Sequence, residues 1–326
     1  MNTPPYDQLT PDVVIEAVES AGHLSDARLL ALNSYENRVY QVGIEDGTPL
    51  IAKFYRPQRW SRAQILEEHQ FSFELQDANI SVVAPMLDDG GNSLHNYHDF
   101  NFALFTRRGG YPPELDDLDN LFILGRTLGR IHAVGRAGKF SERITISVEQ
   151  MLTRSSDYLL QYFIPSSLQP AYASLAKDLK EVVSEIYSSV KASDLIRIHG
   201  DCHVGNILWR DNSAHFVDLD DCAMAPAVQD IWMFLSGDRH RRQLQLAKVV
   251  EGYNEFCDFD PGQLRWIEAL RTMRIVHYAA WLGRRWEDPA FPRSFTWFNT
   301  ERYWGEHILE LREQLAALRE EPLKLL

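Results

Sequence analysis

Residues 199–209, HGDCHVGNILW, crowd two histidines, an aspartate and an asparagine ahead of an apolar run, and HFVDLDD follows at 215–221. Asp201 stands two residues after His199, Asn206 five after Asp201, and Asp218 closes the second apolar run. This is the spacing of phosphoryl transfer. One aspartate accepts the proton of an acceptor hydroxyl, the asparagine binds a divalent cation, and the second aspartate binds the cation that bridges the phosphates. Singly, Asp and Asn at strand ends are turn formers; three of them at these intervals between apolar flanks carry the reading. A metal-hydrolase cluster of His199, Asp201 and His203 is the competing assignment, but no HExxH or comparable pattern supplies its remaining ligands. On the phosphoryl-transfer reading His203 is a structural side chain and Cys202 a small buried filler.

The same chemistry needs a lysine on the phosphates and a helix glutamate to hold it. Lys53 lies in LIAKFY, alternating with Ile51 and Tyr55, and the next segment carries Glu67 and Glu68. Glu67 shares a helical face with Gln64, Gln70 and Glu74, a solvated set, whereas Glu68 shares one with Ile65, Phe71, Ser72 and Leu75. Glu68 therefore points inward and is the expected partner of Lys53. A phosphate-covering loop belongs in LNSYENRVYQV, which has no glycine before Gly43. Its candidate phosphate contacts are the Ser34 hydroxyl and the backbone amides from Ser34 to Asn37, with Arg38 either a further contact or a surface charge. Asp230, in PAVQDIWMFL, is expected to brace the catalytic loop from the start of a helix.

The elements that must position these groups follow from local pattern. Thr10 and Pro11 open an amphipathic helix with Val14, Ala17, Val18 and Ala21 on one face. NRVYQVGIEDGTPLIAKFY reads as a hairpin turning at Asp46-Gly47, Ser61 and Gln64 form a capping box, and SVVAPML and NFALF read as further strands. TRRGGYPPELDD is rich in Gly and Pro, as a hinge would be. Beyond it helices are expected over about 117–135, 170–192, 226–257, 262–285 and 300–320, interrupted by short strands between 195 and 220. The fold class is thus α+β and bilobal: a β-rich N-lobe over 1–106, a hinge near 106–111, and a larger α-helical C-lobe over 107–326.

Lys+Arg total 33 against 46 Asp+Glu, a formal net charge of -13, so no overall basic field exists to hold nucleic acid or anionic lipid. No apolar run reaches the length of a membrane span, and the N-terminus lacks a signal-peptide pattern. Cys202, Cys222 and Cys257 show no CxxC spacing and suit free thiols in the cytoplasm. Only seven residues separate Asp218 from Pro226, and Gly200 stands where an arginine would pair with a phosphorylated activation loop, so regulation by loop phosphorylation is not expected.

HGDCHVGNILW with FVDLDD resembles the aminoglycoside phosphotransferase and choline kinase branch of the protein-kinase-like fold. LNSYENRVYQV, KFYRPQRW, ILEEHQF, PAVQDIWM and RRWEDPAFP narrow the resemblance, over about residues 30 to 300, to the bacterial stress response kinase A family. The resemblance implies a cytoplasmic, monomeric serine/threonine protein kinase that uses Mg²⁺ and ATP. It makes Asp201 the proton acceptor, Asn206 and Asp218 metal ligands, and Ser34 and Lys53 nucleotide contacts, with Asp220 a further candidate at the same site. The residues leave the acceptor open among a protein Ser or Thr, a cationic small molecule such as an aminoglycoside or choline, and none at all in a nucleotide-binding scaffold. WEDPAFP is either part of the acceptor side or a Pro-bounded surface loop.

Overall fold

The computed structural model describes residues 4–325. Helix α1 (Pro11–Ser20) starts where Thr10 accepts a hydrogen bond from Val13 N and buries Val14, Ala17 and Val18. Strands β1 (Ser25–Ala31), β2 (Arg38–Ile44) and β3 (Leu50–Phe54) lead to α2 (Arg62–Asp77), followed by β4 (His95–Tyr97) and β5 (Phe100–Thr106). The five strands form one antiparallel sheet in the order β1-β2-β3-β5-β4. Alternation along β3 sends Leu50, Ala52 and Phe54 into a core shared with α1, leaving Ile51 and Lys53 to line the cleft. The Ser61–Gln64 capping box opens α2 as its sequence predicts.

The C-lobe begins with α3 (Leu118–Arg136), then a π-helical turn at Glu149–Thr153 running into α4 (Arg154–Tyr162), and α5 (Gln169–Tyr187). Short strands β6 (Leu195–Ile198), β7 (Ile207–Arg210), β8 (Ser213–Phe216) and β9 (Ala223–Pro226) follow, pairing as β6-β9 and β7-β8. Helices α6 (Val228–Ile231), α7 (Arg239–Tyr253), α8 (Ile267–Arg284), α9 (Ala290–Ser294) and α10 (Glu301–Ala317) complete the chain. α3 and α7 meet backbone to backbone, since a Cβ on Gly125 would lie 2.0 Å from the Val249 carbonyl oxygen. Among the described residues no helix is long and apolar enough to cross a membrane, and the three cysteines are free and buried.

Several expectations are corrected. SVVAPML is not a strand; it bridges the lobes through isolated pairings of Val82 with Phe216 and Pro85 with Phe105. Pro85 has no N–H to continue a ladder. The helix expected over 226–257 is two helices, broken where Gly237 adopts φ +86° and Asp238 caps α7 by accepting from Arg241 N. β1, which pairs with β2 through an irregular register at Ala27 (φ +65°), and the helical run over 149–162 are both additions to the sequence reading. After β5 the chain runs to Tyr111, which pairs with Trp209 of β7.

Candidate active site

The cleft between the lobes is a cavity of about 1160 Å³, with Ser34, Asn37, Lys53 and Glu68 on the N-lobe wall and Asp201, Asn206, Asp218 and Asp220 opposite. Two backbone devices bring the C-lobe groups together. Gly200 sits at φ +87°, and a Cβ there would come within 2.0 Å of the Asp221 carbonyl oxygen, so the loop after β6 can lie against the loop after β8 only with glycine at this position. Asp218 adopts φ +60°, ψ +66°, a left-handed conformation that few non-glycine residues take and that directs its half-exposed carboxylate to Lys53. Buried Asp230 braces the first loop by accepting from His199 N (2.8 Å), Gly200 N (2.9 Å) and the ring of His132 (3.0 Å).

Lys53 reaches across the cleft. Its Nζ lies 2.8 Å from Asp218 Oδ1, 3.3 Å from Asp220 Oδ1 and 3.7 Å from Glu68 Oε1. Burial alone would push the ammonium down, but Asp218, Asp220 and Glu68 outweigh it and hold its pKa well above the usual value. Burial also lifts Glu68 to about 7 against the pull of Lys53. Asp220 is opposed by burial too, yet Arg59, Lys53 and Arg143 keep it below the ordinary carboxylate range. Arg59 pairs with both Asp220 and Asp221, while Arg143 donates to the carbonyls of Asp220 and Cys222 and stacks over Trp60.

Asp201 faces the cleft with Arg274 Nη2 2.6 Å from Oδ1, and with Asn206 Nδ2 and His203 Nε2 each 3.3 Å from Oδ2. Burial raises its pKa, but the His203 hydrogen bond and the Arg274 charge bring it below the usual range, so the carboxylate is ionised. His203 Nδ1 accepts from Gly205 N, which leaves the ring proton on Nε2, toward Asp201. Asn206 spends its Nδ2 on Asp201, 2.9 Å from the backbone oxygen, leaving Oδ1 as its free acceptor. Two oxygen donors, Asn206 Oδ1 and the Asp218 carboxylate, are the set Mg²⁺ takes when phosphates and water complete its shell. The residues present fit that ion. His199 does not fit the metal-hydrolase reading, because its Nε2 donates to the Val217 carbonyl (2.9 Å) and its Nδ1 faces Asp201 N (3.4 Å).

The remaining candidates divide. Ser34 lines the cavity and donates to the Asn37 carbonyl (3.0 Å); Asn37 is buried and accepts from Arg56 N (3.1 Å). Arg38 is absent from the cleft wall. Strand alternation turns it to the other face, over the Tyr6 ring at 4.4 Å and 3.5 Å from Asp288, which corrects its reading as a phosphate contact. Glu67 is no idle surface charge either, for it accepts from the backbone amides of Ser141, Glu142 and Arg143 and ties α2 to the C-lobe. Asp288, within WEDPAFP, also pairs with Arg56 at 3.0 Å, and Arg285, just before that segment, pairs with Glu36 at 2.6 Å, so this stretch of chain fastens the two lobes together. Arg59, Arg143 and Arg274 were missed from the sequence; only Arg59 carried a signal, as part of KFYRPQRW.

The profile of the phosphotransferase enzyme family matches residues 28–267. Stress response kinase A of Escherichia coli K12 is 43% identical over 98% of this chain and 97% of its own. The serine/threonine protein kinase RdoA of Salmonella typhimurium LT2 is 41% identical over the same shares. Among solved structures, an amicoumacin kinase bound to AMP-PNP, Ca²⁺ and amicoumacin superposes with a TM-score of 0.74 at 19% identity, over 95% of this chain and 94% of the other. A microcompartment-associated aminopropanol kinase gives 0.70 at 18%, over 94% and 96%. These two share the protein-kinase-like fold; the curated relatives share the sequence nearly end to end. The chain belongs to the phosphotransferase enzyme family, and within it is a homologue of stress response kinase A.

Proposed function

We propose that the protein is a cytoplasmic, monomeric serine/threonine protein kinase that transfers the γ-phosphoryl group of ATP to a hydroxyl with Mg²⁺ as cofactor. The observation that carries this reading is the meeting of Lys53, from the N-lobe sheet, with Asp218 and Asp220 of the C-lobe, beside an ionised Asp201 left facing the cleft. Lys53 holds the phosphates, Glu68 and Asp220 hold Lys53, and Asn206 and Asp218 would hold Mg²⁺ through their oxygens. When bound, that ion neutralises charge developing on the phosphates. Asp201 orients the acceptor hydroxyl and takes its proton. The hydroxyl oxygen forms the new bond to γ-phosphorus as the bond to the β,γ-bridging oxygen breaks, and ADP leaves.

The full-length identity to relatives named as stress response and serine/threonine kinases supports a protein acceptor and a place in stress survival. The test is incubation of the pure protein with labelled ATP and Mg²⁺, alone, with a generic protein acceptor, and with a panel of amino alcohols. Label on serine or threonine is expected. Label only on the amino alcohols would make the protein a small-molecule kinase, and no label on any acceptor would leave a nucleotide-binding scaffold.

A further inference from the structure

One wall of the cleft is unlike the rest of this acidic chain. From Arg274 to Arg285 the sequence of α8 and its end, RIVHYAAWLGRR, holds three arginines and no carboxylate. Arg274, His277, Tyr278, Trp281, Arg284 and Arg285 all line the cavity, at the spacing of one helical face. Their charges are not equally committed. Arg274 is bound to Asp201 and Arg285 to Glu36, but Arg284 is exposed, donates only to the Ser155 hydroxyl at 3.5 Å and lies over the Tyr158 ring at 5.2 Å. Among the described residues it has no carboxylate partner. Between these arginines Tyr278 and Trp281 stack at 5.7 Å with an interplanar angle of 14°, an aromatic floor with Tyr278 exposed. His277 senses the same field: burial and then Arg284, Arg285, Arg274 and Arg59 push it down to about 3.

A cationic acceptor would meet repulsion here, and an anionic one attraction. Arg274 touches the proposed base, and Arg284 lies ten residues further along the helix, about 15 Å at 1.5 Å per residue. An acceptor the size of choline or an amino alcohol does not span that distance, whereas an extended peptide does. Building on the protein-kinase reading, we propose that the acceptor is an acidic peptide segment, with Arg284 binding an Asp, Glu or phosphorylated residue roughly three to five positions from the acceptor Ser or Thr. Tyr278 and Trp281 carry the residues between.

The experiment measures kcat/KM on Ser and Thr peptides in which one Asp is scanned along both sides of the acceptor, each with an Asn and a Lys counterpart. An Asp at one position in that interval should raise kcat/KM over the Lys peptide about fivefold or more. Arg284→Gln should flatten the preference and Arg284→Glu reverse it; Arg284 is exposed, and matched melting curves verify that each variant is folded. Equal rates on Asp and Lys peptides, or a preference unchanged in Arg284→Gln, overturns the acidic-peptide inference while leaving the protein-kinase reading standing. Label on amino alcohols and on no peptide overturns both.

Discussion

Asp201 and Lys53 are both charged, largely buried side chains, but they are held differently. Asp201 is clasped by Arg274, Asn206 and His203, each a donor, and so stays ionised and oriented toward the cleft. Lys53 is surrounded by carboxylates whose charge exceeds its own, an arrangement that is costly to disturb because Glu68 and Asp220 are buried. Lys53→Met would leave Glu68 without its ion-pair partner and Asp220 with Arg59 alone, and we expect it to lower the unfolding free energy by about 3 kcal/mol in urea titrations, as truncation of one buried partner does. A loss below about 1 kcal/mol would show that Arg59 and Arg143 alone satisfy the carboxylates.

At the scale of elements, the loops that carry Asp201 and Asp218 owe their contact to Gly200. Gly200→Ala places a methyl 2.0 Å from the Asp221 oxygen at a positive φ, so the loops must part. Turnover should fall by about tenfold or more, since a displaced base is misaligned, while nucleotide affinity, which we propose rests on Lys53 and Asp218, falls less; kinetics beside nucleotide titration check this, and equal losses in both would contradict it. That Asp201, Asn206 and Asp218 would share one cleft was legible in the sequence because short loops fix their spacing, and that Glu68 would turn inward to Lys53 because one helical face separates it from Glu67. Arg143 and Arg274 were not, because they enter from distant segments in which nothing local distinguishes them from surface arginines. Glu67 was misread for the converse reason: its partners are backbone amides, which leave no mark in sequence. SVVAPML has strand composition but crosses between lobes, and only Pro85 signalled that.

Across the whole molecule, ion pairs from Arg56 and Arg38 to Asp288 and from Glu36 to Arg285 tie the two lobes together, while the N-lobe, among the described residues, keeps one buried neutral histidine. His69 bonds Tyr55 (2.7 Å) and Ser93 (2.8 Å), and burial, helped by Lys53, pushes its pKa down to about 3. Because the unfolded chain binds that proton near pH 6.5 and the folded chain does not, stability is full above about 6.5 and is lost as pH falls toward about 3. Between about pH 7.5 and pH 5 this residue accounts for about 2 kcal/mol, so wild type should lose that much more than His69→Gln in urea unfolding; equal losses would contradict it.

In the proposed reaction the labour divides across one cleft, with Asp201 handling the proton and Asp218 the metal and phosphates. The most direct measurement is Mg²⁺-dependent nucleotide affinity alongside turnover for Asp201→Asn and Asp218→Asn. We predict that Asp201→Asn keeps near wild-type affinity and loses turnover by a factor on the order of 10² or more, whereas Asp218→Asn loses the Mg²⁺-dependent part of the affinity itself. Wild-type turnover in Asp201→Asn, or Mg²⁺-dependent affinity intact in Asp218→Asn, would contradict the account.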